Sequence, residues 1–179
     1  MSDKEFISGD RLVRDSFMLA RQIYDSGYEP DVLVVLWRGG TPVGMVVHEF
    51  LLYKGIDTYH TAVKAASYEG IEQRSDPVVE HMDSVLLRVP EHANVLVIDD
   101  IFDSGCTVRK VVDLLAVRTS NVRIATLYYK PDNNQTDLRP DFFLRETDRW
   151  IVFPHELMDL TPEEISEKGD YLAELVHPS

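Results

Sequence analysis

The chain has 179 residues, enough for one domain with a full core, and its 44% hydrophobic content excludes a disordered protein. A formal net charge of −13 disfavours nucleic acid and anionic membrane as partners. The single cysteine, Cys106, excludes an intrachain disulfide and a cysteine-rich zinc site.

Residues ~7–26 predict a helix, because Leu12, Phe17, Leu19, Ala20, Ile23 and Tyr24 recur near helical spacing. Val32 to Leu36 is a continuous apolar run that suits a strand buried on both faces. Arg38-Gly39-Gly40 breaks it, and Thr41-Pro42 opens a second helix that runs to Gly55. Ile56 to Val63 predicts a strand, Lys64 to Pro77 a long polar mobile loop, and Ser84 to Arg88 a short strand.

Val95 to Ile98 is the next buried strand and Gly105 to Val117 the next helix. Val122 to Tyr129 reads as a strand, Lys130 to Pro140 as a polar loop, and Phe142–Leu144 and Trp150–Phe153 as short late strands. Thr161-Pro162-Glu163-Glu164 has the form of a capping box and starts an acidic helix over about 161–175. Strand and helix alternate through the middle of the chain, so the fold class is α/β with a parallel sheet covered by helices. Ligands of such sheets sit outside the carboxyl ends of the strands, where the Arg38 and Asp99 loops fall. The polar, acidic start of the chain and the lack of any apolar run near ~18 residues predict a cytoplasmic protein with no membrane partner.

The most informative stretch is Val95 to Thr107. An apolar strand runs into Asp99 and Asp100, then Asp103-Ser104-Gly105-Cys106-Thr107 leads into a helix. Carboxylates at a strand end are costly to desolvate, whereas Gly and successive N–H groups at a helix start bind phosphate. Acids beside an anion cradle suit a sugar phosphate with a divalent cation. Neither a Walker loop nor a Gly-x-Gly-x-x-Gly signature occurs.

This segment resembles the ribose-phosphate motif of the type I phosphoribosyltransferases. Leu36–Gly40 resembles that family's pyrophosphate loop, and Tyr129-Lys130-Pro131 and Trp150–Pro154 resemble the base-binding segments of its 6-oxopurine members. The resemblance covers about residues 30–156. It implies one domain over 1–179, with a core at about 30–129 and a small hood from the N-terminal segment and about 130–156. The implied reaction transfers the 5-phosphoribosyl group from 5-phosphoribosyl-1-pyrophosphate (PRPP) to a 6-oxopurine in purine salvage. Pyrophosphate and a nucleoside monophosphate are the implied products.

The resemblance also implies roles. Asp99 and Asp100 would hold the ribose hydroxyls and, directly or through the substrate, Mg²⁺. Asp103 would be the catalytic acid that manages the purine N7 proton. Ser104, Gly105, Cys106 and Thr107 would bind the 5′-phosphate, Cys106 through its backbone N–H. Arg38 and Gly39 would bind pyrophosphate, in a loop where family members often carry a non-proline cis peptide. Lys130 would reach the 6-oxo group, Trp150 would stack on the base, and Ile151 and Val152 would offer backbone groups to its edge. Ser67 and Tyr68 would belong to a loop that closes over the reacting centre. No acidic residue stands at Val152, which favours hypoxanthine over guanine and xanthine. A homo-oligomer, dimer or tetramer, is expected by analogy. Two alternatives stay open: an enzyme for another base, and a non-catalytic nucleotide-sensing regulator on the same fold.

Overall fold

A computed structural model describes residues 4–66, 69–70, 73–74 and 77–176. The first half contains β1 (Lys4–Phe6), α1 (Gly9–Asp25), β2 (Val32–Trp37), α2 (Gly40–Tyr53) and β3 (Tyr59–Ala66). The short elements β4 (Glu69–Gly70), β5 (Gln73–Arg74), β6 (Val78–Glu80) and α3 (Met82–Leu86) follow. Next come β7 (Val95–Ile98), β8 (Ile101–Phe102), α4 (Cys106–Leu115) and β9 (Val122–Tyr129). The chain continues through a 3₁₀ turn (Pro131–Asn133), β10 (Phe142–Glu146), β11 (Trp150–Val152), α5 (Pro162–Glu167) and α6 (Asp170–Val176). These elements form two compact units, Val13–Asp148 and Met1–Leu12 with Arg149–Ser179.

The larger unit is a sheet in the order β10-β9-β7-β2-β3-β6, with β8 also paired to β9. Its pairs are parallel except β3 with β6. Parallel neighbours cannot be joined by a tight turn, so helices cross between them: α2 joins β2 to β3, and α4 joins β8 to β9. Both faces of the central strands are thereby covered, and Val32–Leu36 and Val95–Ile98 are buried throughout. Val108, Val111 and Leu115 put one apolar stripe of α4 into the core beside Val34, Leu36 and Val97. Each such side chain contributes roughly 1.5–3 kcal/mol when fully buried.

Chain direction across the sheet reverses at the neighbouring strands β2 and β7, whose register pairs Val35 with Ile98. From β2 the chain moves out to β3, and from β7 it moves the other way to β9. Sheets of this kind take ligands at such a switch point, here the carboxyl ends of β2 and β7, where both unusual loops emerge.

In the smaller unit, β1 pairs in parallel with β11, matching Lys4 to Trp150 and Phe6 to Val152. The Lys4 ammonium donates to Glu164 at 2.6 Å. The capping box of α5 is formed in full: Thr161 Oγ1 accepts from Glu164 N–H, and a Glu164 carboxylate oxygen accepts from Thr161 N–H.

Three expectations need correction. Ser84–Arg88 is not a strand but lies in α3 and the turn after it. Met82, Val85 and Val89 are buried, and their 3- and 4-residue spacing fits one helical face. Lys64–Pro77 is not irregular from its start, since β3 runs on to Ala66 and pairs with β6, and the Lys64–Glu80 ion pair at 2.7 Å bridges the two. Within the same segment β4 and β5 pair antiparallel, while Ser67 and Tyr68 fall outside the described residues. The C-terminal acidic helix is two helices, with a break at Lys168 and Gly169. The strands β1, β4, β5, β6 and β8, of two or three residues each, went unread because so short a stretch shows no alternation.

Candidate active site

The β2 loop is pressed against the β7 loop. A Cβ on Gly39 would fall 2.1 Å from Asp100 Oδ2, and one on Gly40 would fall 2.4 Å from the Ile98 carbonyl oxygen. Both contacts are far inside van der Waals distance, so this crossing needs two residues without side chains. The Trp37–Arg38 peptide is cis, one bond before the Arg38–Gly39 peptide. Arg38 is exposed, while the Thr41 hydroxyl at the head of α2 is buried without a hydrogen-bond partner.

Beyond Ile98 the strand leaves its direct pairing with β9 for two residues, Asp99 and Asp100, and resumes it at Ile101 opposite Tyr128. The backbone stays satisfied across the gap. Asp99 N–H donates to Ala125 O at 3.1 Å, and Asp100 O accepts from Leu127 N–H at 3.0 Å. Asp100 is buried, and its N–H donates to Asp99 Oδ1 at 3.0 Å. Burial holds the Asp99 carboxyl well above the usual carboxylate range, against opposing hydrogen bonds from Asp100 and from Gly40 N–H. Two adjacent acids in low dielectric resist carrying two charges without a cation. Among the described residues no group of three or more His, Cys, Asp or Glu gathers for a metal. The pair fits Mg²⁺, which takes hard oxygen donors and commonly uses one or two carboxylates, with substrate oxygens and water completing its shell.

Phe102 anchors the next turn. Its ring is fully buried, edge-on to Tyr129 at 5.6 Å, and Tyr129 is in turn edge-on to Phe143 at 5.5 Å. Gly105 follows with φ of 75°, and a Cβ there would meet the Phe102 ring at 2.6 Å. The residue is therefore glycine for both backbone and packing reasons. As N-cap of α4 it offers no side chain to the first helical N–H groups, and a helix start is a place suited to an anion. The Ser104 hydroxyl lies 3.4 Å from Cys106 N–H, and the Cys106 side chain turns back toward the Ser104 carbonyl.

Asp103, half exposed, meets two donors from the segment after β9. Lys130 Nζ donates to Oδ2 at 3.1 Å, and Asn133 Nδ2 donates to Oδ1 at 2.9 Å. Lys130 itself is buried. Backbone bonds hold the two segments in line: Lys130 N–H to Phe102 O and Gln135 N–H to Ser104 O, both at 2.9 Å. The sequence reading did not find Asn133, since nothing distinguishes it from the other polar residues of its loop.

Arg38, Gly39, Asp99, Asp100, Asp103–Thr107 and Lys130 thus all lie in the sheet unit, at the carboxyl ends of β2, β8 and β9 or in the loop after β7. Trp150 and Ile151 belong to the smaller unit. Trp150 is 55% exposed, whereas Ile151, Val152 and Phe153 are buried. Beyond them, Glu156 accepts from Phe153 N–H at 3.0 Å, His155 stacks on the Phe153 ring, and Lys168 Nζ donates to the carbonyls of Phe153 and Glu156. His155 and Glu156 therefore shape the turn after β11, a role the sequence did not disclose.

A largely parallel sheet with a switch point, and with a carboxylate pair and a glycine-capped helix start at its carboxyl edge, defines an α/β fold of the phosphoribosyltransferase type. Residues 7–159 match the phosphoribosyl transferase domain family, and the chain belongs to that family. It is 29% identical over 164 residues to a xanthine-guanine phosphoribosyltransferase of Roseobacter denitrificans, with 84% of each chain covered. The fold is similar to that of a purine phosphoribosyltransferase from Pyrococcus horikoshii, with a TM-score of 0.70 and 25% identity over 89% of this chain and 98% of that one. It is also similar to a Neisseria gonorrhoeae protein solved with bound ppGpp, with a TM-score of 0.76 and 24% identity over 99% of both chains. The type I phosphoribosyltransferase fold expected from the sequence is the fold observed. No helix among the described residues is long and apolar enough to cross a membrane.

Proposed function

We propose that the protein is a purine-salvage phosphoribosyltransferase that transfers the 5-phosphoribosyl group of PRPP to a 6-oxopurine, with hypoxanthine preferred and guanine or xanthine as alternatives. The observation that carries this reading is Lys130, buried and paired to Asp103 beside the phosphate turn. An ammonium there donates to a 6-oxo group and meets the 6-amino group of adenine badly. The xanthine-guanine and purine enzymes among the relatives support the same substrate class.

In the proposed reaction the bond from the anomeric carbon to pyrophosphate breaks ahead of attack by the purine nitrogen. Asp99 and Asp100 accept from the ribose 2′- and 3′-hydroxyls. The turn Ser104–Thr107 binds the 5′-phosphate through its N–H groups and hydroxyls, which fixes the sugar relative to the base. Arg38 and the N–H groups after Gly39 bind the departing pyrophosphate, whose growing charge is the feature most worth stabilising. Asp99 and Asp100 would hold Mg²⁺, directly or through the substrate, and that ion would supply further charge neutralisation to the leaving group. Asp103 takes the purine N7 proton while Lys130 holds the carbonyl. Trp150 and Ile151 are proposed for the base, the first by stacking and the second through its backbone. Ser67 and Tyr68 are proposed as the closing loop that keeps water from the activated sugar.

We further propose one phosphoribosyltransferase domain working in the cytoplasm as a homo-oligomer. Phe17, Met45, Leu52 and Tyr53 stand exposed on α1 and α2, which supports a partner surface there. A steady-state panel of hypoxanthine, guanine, xanthine, adenine and uracil with PRPP and Mg²⁺ tests the reading. Exclusive use of adenine or uracil overturns the base assignment. Nucleotide binding without turnover on any base supports a regulator instead.

A further inference from the structure

We propose that Asn133 is a positioning residue for Asp103, holding its carboxylate while Lys130 serves the purine. This deepens the reaction proposed above and rests on it.

Each oxygen of the Asp103 carboxylate has its own donor: Oδ2 takes the Lys130 ammonium at 3.1 Å and Oδ1 takes the Asn133 amide at 2.9 Å. The two donors differ in what else they can do. Lys130 Nζ is also the group proposed to reach the 6-oxo atom, and a hydrogen directed at that atom is not directed at Asp103. The three hydrogens of its ammonium are thus divided between the carboxylate and the base. Asn133 has no such second duty. A carboxylate only accepts, so the amide must present its NH₂ group.

The amide is delivered by backbone rather than by chance. Lys130 N–H on Phe102 O and Gln135 N–H on Ser104 O bracket the 3₁₀ turn, and Asn133 N–H closes on Lys130 O at 3.3 Å. Asn133 therefore sits over Asp103 from a framework anchored on the flanking residues of that same acid. The side chain is exposed and packs into no core, so its replacement leaves the fold intact.

The test compares Asn133→Ala and the isosteric Asn133→Asp in the full-length protein with PRPP, Mg²⁺ and hypoxanthine. Removing the donor is expected to lower kcat about 10-fold, and placing a like charge against Asp103 to lower it further, about 100-fold. KM for PRPP and Tm should stay within error for both variants, a split that a merely structural role does not produce. In parallel, the Asn133 side-chain amide resonances should move in Asp103→Asn, whether or not turnover is measured. An active wild type whose two variants keep kcat within twofold overturns this role alone. So does an equal loss in both variants, because the sign of the added charge would then not matter. A wild type inert on every base overturns the reaction and this role with it, and the two failures are thereby told apart.

Discussion

Gly39 stands so close to Asp100 that a single added carbon would lie 2.1 Å from the carboxylate. The loop proposed for pyrophosphate and the acids proposed for ribose are thus one packed object, and neither can shift without the other. Gly39→Ala must displace Asp100, which is 6% exposed and has little room to yield. We expect kcat/KM for PRPP to fall about 100-fold with secondary structure unchanged, as a misplacement near 1 Å at a reacting centre does. Steady-state kinetics with circular dichroism checks it, and unaltered kinetics would mean that the loop absorbs the methyl harmlessly.

Asp103→Asn should keep the fold but lower Tm by a few degrees, because only its amide oxygen can accept and its NH₂ group then faces a second donor, Lys130 or Asn133. Turnover should drop about 100- to 1000-fold through loss of the proton acceptor. Wild-type turnover in this variant would remove Asp103 from its assigned role.

Asp99 gives a pH prediction. Its folded value is raised above the unfolded one by burial, so its contribution to stability is complete below the unfolded carboxylate range and is lost as pH rises through the raised folded value. Asp99→Asn cannot ionise and escapes that loss. In the metal-free protein the variant should therefore melt several degrees above wild type at about pH 8, and close to it at about pH 4. Thermal unfolding at the two pH values reads this directly, and a variant that melts below wild type at high pH contradicts it.

Lys130→Met keeps the stem and removes the ammonium. A site built to donate to a carbonyl loses heavily when the donor goes, so kcat/KM for 6-oxopurines should fall at least about 100-fold while adenine remains a poor substrate. A panel of bases with the variant measures both numbers.

Much of this site could be read from the chain before its fold. Val95–Ile98 followed by Asp99-Asp100 and Asp103–Thr107 carries its chemistry in order, because strand, turn and helix start are contiguous there. The helix over Gly40–Tyr53 and the capping box at Thr161 were legible for the same local reason. What stayed hidden depends on distance in sequence. Asn133 meets an acid 30 residues away, and only the pairing of β8 with β9 brings them together. Gly39 and Gly40 read as a turn, yet their real constraint is Asp100 and Ile98 on another strand. Ser84–Arg88 misled because its few apolar residues, seen without Met82 and Val89, show no helical period.

The central claim is that the crevice between Arg38, Asp99–Thr107 and Lys130 joins a phosphoribosyl group to a 6-oxopurine. Release of pyrophosphate from PRPP, followed base by base with Mg²⁺ present, tests it most directly. The account predicts nucleotide formation with hypoxanthine, guanine or xanthine and none with adenine or uracil. Turnover confined to adenine or uracil, or no turnover with any base, would contradict it.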